Sequence, residues 1–214
     1  GSITTLNQQN YLGAVHLQTE SNLSGSQLNF ADALTGNNHN LTLNGPVEFQ
    51  QINGINNLVV NGSAVFNDFV GNLQPLGSLK VTGNTELHTA AINTSGTQNY
   101  SGQVGLFNDA ALTGTLITMG DALQGNNHNL TLSGSGQFAA IDGIQNLNIG
   151  GNAVFNGAIG ANQALTSLKV EGMTQLNANQ ITTSGLQHYV GNFNLGTDSQ
   201  LTGSELQFNN ALLA

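Results

Sequence analysis

Two histidines, His39 and His128, stand in the same eight-residue phrase, GNNHNLTL, which is spelled at residues 36–43 and again at residues 125–132. Imidazole is a common zinc ligand, but zinc requires three or four ligands at one point. Each phrase supplies one histidine between asparagines, with no second histidine at ligand spacing. We therefore interpret both histidines as turn or surface residues, and the sequence predicts no metal site.

Acidic residues also recur at a fixed step that invites a calcium interpretation. Glu20, Asp109 and Asp198 are separated by 89 residues each, and so are Asp32 and Asp121. Calcium loops follow patterns such as D-x-[DN]-x-[DN]-G or the nonapeptide G-G-x-G-x-D, and the sequence contains neither. We interpret these acids as solvated loop residues and expect no cofactor.

Catalytic patterns are weak throughout the chain. Glycosidases need two carboxylates roughly 5–10 Å apart, and Glu48 with Asp68 is the candidate pair. Eighty-nine residues later these positions hold Gln137 and Gly157, so the pair is not repeated. No Ser lies in a G-x-S-x-G sequence and there is no Cys nucleophile. The sequence predicts a protein that is not an enzyme, with no catalytic or cofactor-binding residues.

The charge and hydropathy of the chain argue against nucleic acid and membrane as partners. Charged residues are 6% of the 214, against about 25% in typical proteins, and the net charge is −9. Lys80 and Lys169 are the only strong bases, which excludes nucleic acid because phosphate contacts by Lys and Arg dominate that binding. No apolar run approaches the roughly 20 residues of a membrane span, so we expect no membrane insertion by this segment.

The 89-residue step extends over the whole chain. Tyr11, Tyr100 and Tyr189 follow it, and no insertion or deletion interrupts it. The chain therefore holds about 2.4 copies of one repeat, at approximately residues 3–91, 92–180 and 181–214. Repeats of this kind indicate either stacked coils or a string of similar domains.

A shorter phrase, apolar-x-apolar-x-Gly-x-x-x-apolar, recurs within each copy. It begins at Leu41, Leu58, Leu79, Leu130, Leu147 and Leu168. The apolar-x-apolar part predicts a short strand with alternate side chains pointing inward, and the glycine predicts a corner with positive φ. The first three starts lie 17 and 21 residues apart, close to one turn of a three-sided β-helix. We expect about five coils per copy and about 12 in all.

The alternative is a tandem array of immunoglobulin-like β-sandwiches, whose usual size is about 100 residues. A sandwich has no reason to repeat one strand-corner-strand phrase within itself, so the sequence favours a single continuous β-solenoid over residues 1–214. Inward positions persist between copies while their neighbours change, as at Glu86 and Gln175. Asn38 and Asn127 are interpreted as corner residues, because Asn tolerates the left-handed conformation.

The phrases SLKVTGNTEL (residues 78–87) and ITTSGLQHY (residues 181–189) resemble the repetitive regions of large secreted bacterial proteins. In these phrases the chain is similar to filamentous-haemagglutinin-like adhesins of the two-partner secretion pathway and to autotransporter passengers. That resemblance implies a right-handed parallel β-helix, export to the bacterial cell surface, and adhesion or biofilm formation. It further implies that this chain is an interior segment of a longer protein.

The function expected from the sequence is that of a non-catalytic stalk or adhesin segment. Its expected partners are cell-surface glycans or proteins, together with end-to-end or lateral self-association. The alternative is a carbohydrate-active β-helix, a tailspike-like glycosidase or lyase, which cleavage of a polysaccharide would reveal.

Overall fold

The computed structural model describes residues 1–213, so Ala214, the last residue of the third partial copy, lies outside the described residues. All regular structure in this range is β-strand, and the strand pairings are parallel. The chain winds into a right-handed β-solenoid of about 11 turns. The expected fold is therefore confirmed, and tandem β-sandwiches, which require antiparallel sheets, are excluded.

Three parallel sheets form the faces of the solenoid, and the strands are numbered β1 to β32 in chain order. Face 1 contains β1 (Ser2–Thr4), β4 (Ser21–Ser24), β7 (Leu41–Asn44), β10 (Asn57–Asn61), β12 (Ser78–Val81), β15 (Gln98–Tyr100), β18 (Leu116–Met119), β21 (Ser135–Phe138), β24 (Ala153–Phe155), β26 (Thr174–Leu176), β29 (Phe193–Leu195) and β32 (Leu212–Leu213).

In one coil each, faces 2 and 3 have a single bridging residue in place of a strand. Ile159 joins Ile141 to Ile181 on face 2, and Val70 joins Ile52 to Ile92 on face 3. Face 2 contains β2 (Gln9–Tyr11), β5 (Leu28–Phe30), β8 (Val47–Phe49), β11 (Ala64–Phe66), β13 (Thr85–Leu87), β16 (Val104–Leu106), β19 (Leu123–Gln124), β22 (Ile141–Asp142), β27 (Gln180–Thr182) and β30 (Gln200–Thr202). Face 3 contains β3 (Val15–His16), β6 (Leu34–Thr35), β9 (Ile52–Asn53), β14 (Ala91–Asn93), β17 (Ala110–Thr113), β20 (Leu130–Leu132), β23 (Asn146–Ile149), β25 (Ser167–Val170), β28 (Leu186–Tyr189) and β31 (Glu205–Phe208).

The predicted inward leucines stack in register. Leu41, Leu58 and Leu79 are direct neighbours on face 1, and all three are buried. The spacing of 17 and 21 residues is thus one turn each, as the sequence predicted. Because every coil places an apolar side chain on the one below, the core is a continuous column rather than a set of separate clusters.

Aromatic side chains strengthen part of this column. Phe30, Phe49 and Phe66 stack on one another with ring centroids 5.4 Å apart, and Tyr11 lies on Phe30 at 4.8 Å. Each fully buried Phe contributes about 1.5–3 kcal/mol through removal of apolar surface from water. The spacing of the rings is close to the distance of about 4.8 Å between strands, so the sheet itself positions the stack.

The corner glycines differ from the expectation of positive φ. Gly45 has a φ of 135°, but Gly62 and Gly83, at the same corner of the next two coils, do not have positive φ. A Cβ at Gly83 would instead lie 2.6 Å from the backbone carbon of Gly62. Glycine is required there because consecutive corners approach too closely for a side chain, rather than for backbone freedom.

The repeat does not complete a whole number of turns. Ile3 lies on face 1, Ile92 on face 3 and Ile181 on face 2, although the three are 89 residues apart. Each copy supplies fourteen face segments, which is four turns and two further faces, instead of the fifteen of five full turns. The expected five coils per copy is therefore slightly too high, and successive copies are rotated by a third of a turn.

Candidate functional surfaces

The phrase GNNHNLTL forms a corner followed by a strand. Asn37 and Asn38 have φ values of 49° and 62°, and their counterparts Asn126 and Asn127 have 49° and 63°. These are left-handed conformations, as expected for Asn at a tight turn. The amide of Asn37 donates to the carbonyl oxygen of Leu17 at 2.8 Å, which ties the corner to the preceding coil.

A long loop in each of the two full copies, residues 67–77 and 156–166, forms a hydrogen bond to the same corner. The amide nitrogen of Gln74 donates to Oδ1 of Asn38 at 2.8 Å, and that of Gln163 donates to Asn127 at 2.7 Å. Both asparagines therefore use their side chains for contacts within the fold. The interpretation of Asn38 and Asn127 as corner residues agrees with these bonds.

The two histidines lie on different corners. His39 precedes a strand of face 1, whereas His128 precedes a strand of face 3. Their backbone N–H groups donate to Gly36 and Gly125 respectively, which closes each turn. Nδ1 of His128 lies 3.4 Å from a carboxylate oxygen of Asp109. Among residues 1–213, no group of three or more His, Asp or Glu side chains is placed to hold a metal ion.

The acidic columns are likewise distributed around the rod. Glu20, Asp109 and Asp198 precede strands of face 1, face 3 and face 2, so they do not converge. The backbone N–H and the side-chain amide of Asn129 donate to Asp109 and lower the pKa of its carboxyl. This acid begins a polar ladder, because Asn129 in turn accepts from Asn146 at 2.8 Å.

The other four acids considered in the sequence analysis accept hydrogen bonds from the next backbone N–H or from an adjacent coil. Oδ1 of Asp32 accepts from the next backbone N–H at 2.7 Å, and Asp121 does the same at 2.8 Å. Glu48 accepts from the amide of Asn67 at 2.8 Å, while Asp68 accepts from its own neighbour, Phe69. The carboxylates of the candidate glycosidase pair are each engaged with different donors.

The two lysines occupy equivalent strands on different faces. Lys80 lies between Val59 and Asn99 in the outward row of face 1. Lys169 lies on face 3, where its Nζ is 2.7 Å from Oε1 of Glu171. Thr82 stands in place of that glutamate in the first copy, so this ion pair is specific to the second copy.

A buried polar motif accounts for the Q-x-Y sequence of each copy. The amide of Gln98 donates to the carbonyls of Thr113 at 2.9 Å and Ile92 at 3.1 Å, and it accepts from the hydroxyl of Tyr100 at 2.9 Å. Gln187 and Tyr189 repeat the pattern. Burial raises the pKa of the Tyr100 hydroxyl, so this group is a neutral structural contact.

A groove on face 2 was missed by sequence reasoning. It has a volume of about 280 Å³, and it is lined by Asn84, Thr85, Glu86, Gln103, Val104, Gly105, Phe107, Gln124 and Asn126. Gly105 lies between Glu86 and Gln124 in the outward row of the face. Phe107 is 48% exposed, and its ring stacks on His88 with centroids 4.5 Å apart.

The signal that could have revealed this groove is departure from the repeat. Phe107 stands where the other copies have Gln18 and Gly196. Gly105 stands where they have His16 and Asn194. The groove is therefore a local feature of the middle of the chain, not a product of the repeated pattern.

Residues 1–213 include no helix long and apolar enough to cross a membrane. Comparison of the chain with protein-family models, with curated proteins and with solved structures gave no match.

Proposed function

We propose that this chain is a non-catalytic stalk segment of a large secreted or surface-exposed bacterial repeat protein, and that it supports adhesion or biofilm formation. The observation that carries the proposal is the single core column, whose buried residues run from Leu17 to Phe193 without interruption. About 11 turns at 4.8 Å give a rod about 50 Å long. A rod of this kind holds binding regions away from a cell surface.

The outer surface fits a role in many weak contacts. Its outward rows are mostly Asn, Thr, Gln and Ser, for example Thr42, Asn99 and Gln175 on face 1. These side chains donate and accept hydrogen bonds without fixed charge. Partners of matching chemistry are glycans and polar protein surfaces of host or bacterial cells.

The rotation between copies adds to this role. Equivalent residues of successive copies face directions a third of a turn apart, as Ile3, Ile92 and Ile181 show for the interior. A surface feature repeated in each copy is then displayed around the whole rod instead of along one side. Such display suits multivalent contact, in which several weak sites act together.

Self-association is part of the proposal. The first and last strands of face 1, β1 and β32, each leave one edge unpaired within residues 1–213. Unpaired parallel edges accept a further strand, so isolated copies of this segment are expected to stack end to end at high concentration, whereas in a longer protein the same edges would pair with the neighbouring coils. Lateral contact between polar faces would bundle several rods.

The proposal is tested by displaying the chain on a non-adherent bacterium through an outer-membrane anchor. We expect more cells to attach to cultured epithelial cells or to one another than with the anchor alone. A displayed chain carrying Leu79→Asp, which breaks the core, is the matched control and should give no gain. The purified chain should release no new reducing ends from a polysaccharide panel. Release of such ends would replace the stalk proposal with a carbohydrate-active β-helix.

A further inference from the structure

The groove on face 2 contains an aromatic wall. Phe107 follows β16 and its ring lies nearly parallel to the imidazole of His88, at an angle of 11° and a centroid distance of 4.5 Å. Nε2 of His88 lies 3.2 Å from Oε2 of Glu86. The histidine is therefore held between the carboxylate and the ring, and it fixes the position of Phe107 at the corner of the face.

Gly105 forms the floor of the groove. It is the outward-facing residue between Glu86 and Gln124, and it has no side chain to fill the space between them. An added Cβ would lie 3.2 Å from Cε2 of Phe107, with no backbone atom as close. The floor is therefore open because residue 105 is a glycine, and the ring of Phe107 forms the adjacent side of the groove.

The rim provides hydrogen-bonding groups of both kinds. Gln103, Gln124 and Asn84 present amides that donate and accept, and Glu86 presents a carboxylate that accepts. An open groove with an exposed aromatic ring and several planar polar groups matches the two surfaces of a sugar ring. The apolar C–H face of a sugar packs on an aromatic ring, while its hydroxyls bond to amides and carboxylates.

The charge of the groove favours neutral sugars over acidic ones. Glu86 is negative, the chain as a whole carries −9, and neither Lys80 nor Lys169 lines the groove. An acidic sugar would meet repulsion without a compensating cation. The volume of about 280 Å³ lies just below the usual lower limit of about 300 Å³ for small-molecule sites, so the groove fits one or two sugar units of a longer chain.

We propose that this groove binds a neutral oligosaccharide, with Phe107 as the stacking platform and Glu86, Gln103 and Gln124 as hydroxyl partners. The proposal deepens the adhesion function proposed above and rests on it. Glu86 is the one carboxylate among the lining residues, whereas glycoside cleavage uses two. Binding without cleavage is therefore expected.

The repeat itself supplies the test variants. Gly105→Asn introduces the residue that the equivalent position 194 carries, and it fills the floor. Phe107→Gln introduces the residue found at position 18, and Glu86→Gln the residue found at position 175. Each substituted residue already exists in an equivalent coil of this chain, and the close contact of a Cβ at residue 105 is with the Phe107 side chain and not with backbone, so we expect all three variants to fold with melting temperatures close to that of the parent. Asn194→Gly, at the equivalent position outside the groove, is the matched control.

The experiment is a glycan array of neutral oligosaccharides of two to six units built from glucose, galactose, mannose and N-acetylglucosamine, with sialylated and sulfated chains included. The selected glycan is then titrated calorimetrically. We expect the parent to bind at least one neutral oligosaccharide. Gly105→Asn and Phe107→Gln should each weaken binding tenfold or more, Glu86→Gln several-fold, and Asn194→Gly not at all.

Three results would overturn the inference: binding of none of the neutral glycans, selective binding of the acidic ones, or binding that Gly105→Asn and Phe107→Gln leave unchanged in folded protein. The displayed-cell assay separates this failure from that of the adhesion function. If the array is negative while displayed cells still adhere, the groove proposal fails and the adhesion proposal stands. If the array is positive and sensitive to Gly105→Asn while displayed cells do not adhere, the adhesion proposal fails and the groove proposal stands.

Discussion

The corner at residues 36–40 and the groove lined by residues between 84 and 126 represent two kinds of region in this molecule. The corner is copied without change at residues 125–129, down to the hydrogen bond from Gln74 to Asn38 and its counterpart from Gln163 to Asn127. The groove has no such copy, because Gly196 stands where Phe107 does.

Coupling between coils explains the difference. A residue that faces the core or a corner contacts the coils above and below it, so a change there must be accommodated by both neighbours. An outward residue such as Gly105 meets solvent on one side and tolerates substitution. Copies are therefore alike where they hold the rod together, and we expect ligand recognition where they differ.

The largest expected effect comes from charging the core in either copy. Leu79 and Leu168 are each 1% exposed and lie between direct neighbours in their faces. Replacing either by Asp buries an unpaired carboxylate or leaves a cavity, which we expect to cost about 4 kcal/mol or more. Urea denaturation of the two variants measures it.

The two losses should agree within about 1 kcal/mol if the copies are equivalent in the core. Lys80→Asp, one residue away on the outward side, is the control and should change stability by less than about 1 kcal/mol. A Leu79→Asp variant as stable as Lys80→Asp would show that this face is not the interior.

An intermediate effect is expected at the corner glycines. Gly83→Ala places a Cβ 2.6 Å from the backbone of Gly62, which forces consecutive corners apart and should cost about 1–3 kcal/mol. Gly13→Ala is the control, because no heavy atom lies within 4 Å of the added carbon. Equal melting temperatures for the two variants would argue that corner packing is looser than described.

A smaller effect of opposite sign is expected at two threonines that occupy equivalent positions. Thr85 and Thr174 are 1% and 0% exposed, and their hydroxyl oxygens have no hydrogen-bond partner. A buried hydroxyl without a partner costs about 1–3 kcal/mol, so Thr85→Val and Thr174→Val should each raise the unfolding free energy by about 1 kcal/mol. Val104, the next residue in the row of Thr85, shows that valine fits. Destabilisation by both substitutions would mean that the hydroxyls are bonded after all.

The smallest effect is expected from the histidines. His39→Ala combined with His128→Ala removes side chains that lie at turns closed by backbone bonds. We expect the melting temperature to change by less than about 2 °C, which corresponds to less than about 1 kcal/mol for a chain of this size. The same scan with 1 mM zinc should be unchanged in parent and variant. A zinc-dependent shift that the double variant abolishes would restore a metal role.

The sequence predicted the coil and its inward stripe because the constraint is local and repeated. The phrase beginning at Leu41, Leu58 and Leu79 contains both a strand and the corner that follows it, and its spacing sets the turn. The role of Gly62 was misjudged, since the restriction comes from the backbone of the neighbouring coil and not from its own dihedral angle. The sequence also predicted five coils per copy, which is slightly too many. The face on which Ile92 lies depends on the single bridging residue Val70, which the repeated phrase does not mark.

The groove was missed for a different reason. Repeat comparison gives weight to what recurs, and Phe107 and Gly105 are informative because they do not recur. Their proximity to Glu86 also depends on register, since Gly105 pairs with Glu86 on the adjacent coil, 19 residues away. A search for glycine and exposed aromatic residues that replace polar ones would identify such sites in similar chains.

Distances measured by double electron–electron resonance along the outward row of face 1 test the single-rod architecture most directly, and the absence of cysteine from the chain allows paired labels without background. Thr42 and Thr118 are four turns apart, Lys80 and Gln175 five, and Thr42 and Gln175 seven. We expect narrow distributions that increase linearly, centred at about 19, 24 and 34 Å for a rise of 4.8 Å per turn. Broad distributions, or distances that do not increase with the number of turns, would contradict a continuous solenoid.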